Sequence, residues 1–115
     1  MNKTDKLIKI KGLFETHLFV ENLERSIDFY TNILWLEQCY YEGERRTAFF
    51  WIGKPKEAML GLWEKPKSEI DKRHFAFHCD KEFILKEATE FLIANGLKPA
   101  RRRLHLRRNV AMVVP

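Results

Sequence analysis

The chain lacks the features that mark secreted and membrane proteins. It has two cysteines in 115 residues, Cys39 and Cys79, and their spacing matches no metal or redox motif, so we expect two reduced thiols inside a cell. No apolar run approaches the length of a membrane span, and the lysine-rich N-terminus has no apolar signal-peptide region. With 45% hydrophobic and 32% charged residues, the composition is that of an ordinary globular protein. We therefore expect a cytoplasmic protein with a single domain.

The body of the chain also lacks an excess of charge. The formal net charge is +5, and five arginines near the C-terminus account for all of it: Arg101, Arg102, Arg103, Arg107 and Arg108. Such a run can coat phosphates, but this one lacks both the interleaved aromatic residues of a stacking platform and any helix-turn-helix context. We therefore interpret residues 100–115 as a solvated, partly disordered basic tail, and we expect no nucleic-acid partner.

A strand followed at once by a helix organises the N-terminal half. Residues 13–20 are short and apolar, and the polar residues Glu15 and His17 interrupt them with period two, so these two side chains share one face of a predicted strand. Asn22 is a suitable N-cap for the helix that follows. The apolar positions of that helix recur at helical spacing, and they are Leu23, Ile27, Tyr30 and Leu34.

Three further strands are predicted after this helix. They cover residues 36–42, 46–52 and 57–64. Each contains aromatic or β-branched residues, and turns that contain glycine or proline separate them. A polar linker with a proline follows at residues 65–72.

Beyond the linker the pattern starts again. His74 opens a short apolar stretch as His17 does, and Asp80 is the predicted N-cap of a second helix that stops at Gly96. The apolar face of this helix comprises Phe83 or Ile84, Ala88, Phe91 and Leu92. Two strand-helix units that each open with a histidine indicate an internal repeat. We expect the two modules to pack together and so to bury apolar surface that neither module can bury alone.

Four stretches carry a family resemblance: THLFVENLERSIDFYTNIL, AFFWIG, MLGLWE and RHFAFHCD. Together they resemble the vicinal oxygen chelate superfamily, which contains glyoxalases, bleomycin-resistance proteins and ring-cleaving dioxygenases. The resemblance covers residues 13–97 and implies an α+β fold of paired βαβββ modules. On this basis residues 1–115 form one glyoxalase-like domain, with module one at residues 13–64 and a partial module two at residues 73–106. Trp35 stands where the family usually has a glycine after the helix.

The end of the second module departs from the family pattern. Relatives close that module with an aspartate-proline-aspartate-glycine turn followed by a metal-binding glutamate. After Pro99 this chain reads ARRRLHLRRNVAMVVP, which contains neither feature. We therefore expect an incomplete second module, and the abrupt change in composition suggests a truncated or frame-disrupted C-terminus.

The resemblance also implies a metal site. In the family a divalent ion such as Mn, Fe, Ni, Co or Zn binds one histidine from each module, and His17 and His74 are the matching positions. Glu64 and His78 are possible additional ligands, although we favour a solvated strand end for Glu64 and a polar wall residue for His78. Gly61 stands roughly where glyoxalase I-like members have a carboxylate ligand, so their four-ligand site is not expected.

Three functional hypotheses follow from these residues. The first is a divalent-metal-dependent lyase, isomerase or thiol transferase that acts on a small oxygenated substrate, with a third ligand supplied from elsewhere, for example by His105. The second is a metal-free protein that sequesters a small antibiotic-like molecule. The third is an inactive truncated product. Whether the chain is an enzyme stays open, and we expect a homodimer, since an unfinished sheet leaves strand edges for a second copy to cover.

Overall fold

The chain forms two compact units, which meet in sequence between Ile70 and Asp71. The structure is a computed structural model that describes residues 9–71 and 75–97, together with the backbone of residues 105–107 and 111–114. Each unit contains its own sheet and its own helical segment. Within the described part of the chain, no helix is both long and apolar enough to cross a membrane.

The first unit is a βαβββ module. Its elements are β1 (Glu15–Val20), α1 (Leu23–Asp28), a π-helical turn (Phe29–Ile33), β2 (Glu37–Glu42), β3 (Thr47–Trp51), β4 (Met59–Glu64) and a 3₁₀ turn (Lys67–Glu69). The sheet order is β1-β4-β3-β2. Strand β1 runs parallel to β4, and the other neighbours are antiparallel. This arrangement confirms the βαβββ fold class predicted for the first half of the chain.

The helix of the first unit begins and ends as its local sequence dictates. Asn22 is the N-cap, because its Oδ1 accepts a hydrogen bond from the backbone N–H of Arg25 at 3.0 Å. At the far end the backbone of Trp35 lies in the left-handed region, with φ of 60°, and its side chain is 84% exposed. That region is strained for a residue with a Cβ, so a glycine would fit this position with less strain.

The sheet of the first unit has one buried and one open face. The core side chains on the helix-facing side are Leu23, Tyr30, Ala48, Phe50, Leu60 and Leu62. Burial raises the pKa of Tyr30 to about 12. On β1 the side chains alternate, so that Glu15, His17 and Phe19 are exposed while their neighbours are partly buried. The open face therefore carries the polar residues that the sequence singled out.

The second unit lacks one strand of the repeat among its described residues. Its elements are β5 (Phe75–His78), α2 (Lys81–Lys86), α3 (Ala88–Ala94), β6 (His105–Arg107) and β7 (Ala111–Val114), with the sheet order β5-β7-β6. In module one, three strands follow the helix, and the last of them runs parallel to the first strand of the module. If only two strands follow the helix, the last strand runs antiparallel to the first. Strand β7 does pair with β5 in the antiparallel sense. The prediction of an incomplete second module is confirmed.

Strands β6 and β7 differ from the solvated tail expected over residues 100–115. They pair with each other, and β7 also pairs with β5. The apolar run AMVV has the composition of a strand. The arginines that precede it favoured a solvated tail in the sequence analysis, so this strand was not predicted.

The predicted caps of the second helical segment are confirmed. Asp80 accepts a hydrogen bond from the backbone N–H of Glu82 at 3.2 Å. Gly96 has φ of 79°, and the N–H of Leu97 donates to the carbonyl of Leu92 at 2.8 Å, which is the geometry of a Schellman stop. The buried side chains of this segment are Ile84, Ala88 and Leu92.

Candidate functional site

His17 lies on the open face of the first sheet, and both nitrogens of its ring have protein partners. Its Nε2 is 2.5 Å from Oε2 of Glu15. Its Nδ1 accepts a hydrogen bond from the indole Nε1–H of Trp63 at 3.2 Å. His17 and Glu15 are each about 40% exposed at the side chain, so the pair remains open to a ligand.

Strand register determines which residues surround His17. In the parallel pairing of β1 and β4, His17 lies opposite Gly61 and Phe19 lies opposite Trp63. In the antiparallel pairing of β3 and β4, Phe49 also lies opposite Gly61. His17 and Phe49 therefore flank Gly61 from its two sides. We call Glu15, His17, Phe49, Gly61 and Trp63 the His17 cluster.

Gly61 is glycine because two rings occupy the space of a side chain. A Cβ at this position would lie 2.6 Å from Cε2 of Phe49 and 3.0 Å from Cδ2 of His17. The rings of His17 and Phe49 meet edge to face, with centroids 5.3 Å apart, and the centroids of His17 and Trp63 are 5.9 Å apart. The floor of the cluster is thus aromatic, and it holds the imidazole in one orientation.

Further aromatic and charged groups extend the open face. The ring centroid of Tyr40 is 6.0 Å from that of Phe49. The guanidinium of Arg45 lies over the ring of Trp63, at 5.5 Å from the centroid, and it also donates a hydrogen bond to Glu42. That bond to Glu42 raises the pKa of Arg45 above its ordinary value. The cation therefore covers one face of the Trp63 indole.

Glu64 is directed away from the His17 cluster. Because Trp63 points to the open face, its neighbour Glu64 points to the helix side. There its Oε2 accepts hydrogen bonds from the backbone N–H of Leu23 and from Nη2 of Arg46, both at 2.9 Å. The Arg46 and Leu23 hydrogen bonds lower the pKa of Glu64 to about 2. Metal ligation by Glu64 stays a prediction, and its described contacts are those of a structural carboxylate.

The histidines of the second unit are placed only in part. His78 ends β5 with an exposed side chain, opposite Ala111 in the pairing with β7. His74 lies outside the described residues. His105 is described only as part of the β6 backbone. The proposed ligand pair of His17 and His74, with His78 as an addition, therefore stays a prediction.

Sequence reasoning placed Glu15 beside His17 and singled out Gly61, but it did not bring Phe49 or Trp63 to the cluster. The alternation of β1 was enough to put Glu15 and His17 on one face. Trp63 is 46 positions from His17, and only the β1–β4 register identifies it as the partner. The signal available in advance was the MLGLWE strand, whose odd positions 61 and 63 share a face.

Comparison with known proteins agrees with the fold and the motifs. The model of the Glyoxalase/Bleomycin resistance protein/Dioxygenase superfamily matches residues 12–107. The chain belongs to this superfamily. A similar solved structure is an integron cassette protein from the mobile metagenome of the Halifax Harbour sewage outfall, with 34% identity and a TM-score of 0.68. The match covers 76% of this chain and 72% of that protein. No curated protein matches the chain.

Members of this superfamily often use a divalent metal, and the described donors can be tested for that purpose. No group of three or more histidine, cysteine, aspartate or glutamate side chains that could hold a metal occurs among the described residues. In the His17 cluster, one imidazole and one carboxylate are present, and both imidazole nitrogens are engaged with protein partners. A stable site for zinc, one of the metals that the resemblance implies, has at least three protein donors. The described residues alone therefore do not fit a metal.

Proposed function

We propose that this protein binds a small oxygenated molecule on the open face of its first sheet, at the His17 cluster. The observation that carries the proposal is the exposed Glu15–His17 pair, set among the rings of Phe49 and Trp63. Ligand sites combine apolar and aromatic surface with a few fixed polar groups, and the cluster offers both.

The four side chains of the cluster have distinct parts in binding. The carboxylate of Glu15 gives one oxygen to His17 and keeps further lone pairs, which can accept a hydrogen bond from a ligand hydroxyl. Phe49 and Trp63 supply the surface against which an apolar part of the ligand packs. His17 holds the carboxylate in place, so little side-chain freedom is lost when the ligand binds.

Catechol is a suitable probe, because it has an apolar ring and two adjacent hydroxyl groups. We expect it to shift the backbone NMR signals of the cluster residues. Glu15→Gln should weaken binding by roughly tenfold to a hundredfold, since a hydrogen bond to a charged group contributes about 1.5–3 kcal/mol. Glu69→Gln, which changes an exposed glutamate outside the cluster, should leave binding unchanged. Shifts confined to other parts of the chain would contradict the proposal.

A divalent-metal-dependent lyase, isomerase or thiol transferase is the second candidate. It is favoured by superfamily membership. It further requires His74, with Glu64 or His78 as possible additions. Titration of the metal-free protein with Zn²⁺ tests it: His17→Ala should abolish tight binding. If His17→Ala leaves tight Zn²⁺ binding unchanged, the assignment of His17 as a ligand is wrong.

Assembly and location are part of the same proposal. Strand β1 lies at one edge of the first sheet, and sheet edges readily pair with another chain. We expect a cytoplasmic homodimer, and light scattering coupled to gel filtration measures its mass. A monomer at all accessible concentrations would contradict the dimer.

A further inference from the structure

We infer that Trp63 fixes which nitrogen of His17 carries the proton, and so makes His17 a hydrogen-bond donor rather than a metal ligand. Trp63 is then a positioning residue that determines what the cluster can bind. This inference rests on the proposed function, because it assigns the selectivity of the same site.

The chemistry of the indole leads to this assignment. An indole Nε1–H can only donate, so the atom that it faces must accept. That atom is Nδ1 of His17, at 3.2 Å. An imidazole nitrogen accepts only when it carries no proton, which leaves the ring neutral with its proton on Nε2. Nε2 in turn lies 2.5 Å from Oε2 of Glu15, where its proton is donated to the carboxylate.

This protonation pattern opposes metal coordination at either nitrogen. Nε2 has no free lone pair while it carries the proton. Coordination through Nε2 requires the proton to move to Nδ1, where it would face the indole N–H of Trp63. Coordination through Nδ1 requires that Trp63 leave. Either route breaks the hydrogen bond between Trp63 and His17, and the route through Nε2 also breaks the bond to Glu15.

The indole is held firmly enough to impose this pattern. Trp63 lies on β4, which pairs with β1 on one side and with β3 on the other. Its ring meets that of Phe49 edge to face, with centroids 6.2 Å apart, and Arg45 lies over the ring. The strand pairing on both sides fixes the Trp63 backbone, and the contacts with Phe49 and Arg45 limit the rotamers open to its ring.

The consequence concerns the class of ligand. The Nε2–H of His17 donates its hydrogen bond to Glu15. The polar atoms of the cluster that remain for a ligand are therefore the acceptor lone pairs of the Glu15 carboxylate. The cluster is therefore selective for molecules that donate a hydrogen bond, and it discriminates against bare divalent cations.

The first test uses the full-length wild-type protein alone. Long-range ¹⁵N–¹H NMR at mildly alkaline pH distinguishes the protonated from the unprotonated nitrogen of a neutral imidazole. We expect His17 to be protonated at Nε2 and unprotonated at Nδ1. A proton on Nδ1, or an even mixture of the two tautomers, would overturn the inference.

A pair of matched variants then isolates the indole N–H. Trp63→Phe keeps an aromatic ring but removes the donor, so we expect a mixture of His17 tautomers. Zn²⁺ should bind this variant roughly two- to tenfold more tightly than wild type, since a single hydrogen bond no longer opposes it. Trp35→Phe makes the same chemical change at an exposed residue outside the cluster and should alter neither readout. If Trp63→Phe leaves both the tautomer and Zn²⁺ affinity unchanged, Trp63 does not have this function.

These readouts use no small organic molecule. If catechol fails to bind while His17 shows the expected tautomer, the proposed function fails and the assignment of Trp63 stands. If catechol binds but His17 shows a different tautomer, the proposed function stands and the assignment of Trp63 fails.

Discussion

Arg46 binds the carboxylate of Glu64 through two parallel hydrogen bonds. Its Nε donates to Oε1 and its Nη2 to Oε2, both at 2.9 Å. The same guanidinium also reaches Glu24 in the first turn of α1, and Glu64 accepts from the N–H of Leu23. The network ties the start of the helix to the end of β4, next to Trp63, so the geometry of the site depends on it.

Replacement of Glu64 should lower stability in a way that depends on pH. The pKa of Glu64 is lowered from 4.5 to about 2 in the folded protein, first by Arg46 and then by Leu23. A carboxyl group with a lowered pKa stabilises the fold above its unfolded value and loses that contribution as pH falls through its folded value. We therefore expect Glu64→Gln to be less stable than wild type at neutral pH, with a difference that shrinks below pH 4.5.

Denaturant unfolding at a series of pH values measures this difference. Glu69→Gln is the matched control, because Glu69 is exposed in the 3₁₀ turn, and it should unfold like wild type at each pH. A Glu64→Gln deficit that stays constant down to acidic pH would contradict the assignment of the low pKa to this residue.

Gly61 should not tolerate even one added methyl group. A Cβ there meets the Phe49 ring at 2.6 Å, inside van der Waals contact, and β4 is held by neighbours on both sides. We expect Gly61→Ala to cost about 1–3 kcal/mol of unfolding free energy, the usual cost of overpacking a close-packed position. Chemical denaturation measures it.

Two further variants show whether the Phe49 ring is the cause. Gly12→Ala adds the same methyl group where nothing lies within 4 Å, and it should change stability by less than about 0.5 kcal/mol. Combining Gly61→Ala with Phe49→Leu removes the clash, so the two changes should couple favourably in a double-mutant cycle. Simple additivity would mean that another contact limits Gly61.

The left-handed backbone of Trp35 predicts that glycine is the better residue there. Trp35→Gly and Trp35→Ala both remove the exposed ring, and only the first removes the Cβ. Left-handed strain of about 1–2 kcal/mol exceeds the extra chain entropy that glycine loses, about 0.5–1 kcal/mol. We therefore expect the glycine variant to be more stable than the alanine variant by about 0.5–1 kcal/mol in thermal unfolding. An alanine variant of equal or greater stability would show that the φ of 60° carries no strain.

The parts of the fold that sequence predicted are those set by local rules. The helix caps and the helix stop depend on residues within one helical turn, so the sequence alone predicts them. They are the caps at Asn22 and Asp80 and the stop at Gly96. The shared face of Glu15 and His17 depends only on alternation within one strand.

The parts that sequence did not predict depend on contacts far apart in the chain. Trp63 reaches His17 only through the parallel register of β1 with β4, and the side to which Glu64 points follows from the same register. The π-helical turn was also missed, because the apolar spacing around Tyr30 fits an ordinary helix equally well. Strand β7 was missed because the upstream arginines outweighed a four-residue apolar signal.

The most direct test of this account is calorimetric titration of the full chain with catechol in the presence of EDTA. If the His17 cluster binds by hydrogen bonding to Glu15 and by aromatic packing, catechol should bind equally well with and without the chelator, and Glu15→Gln should weaken binding in both conditions. Binding that disappears in EDTA and returns with added Zn²⁺ would contradict the account, because the ligand would then be held by a metal and not by the cluster.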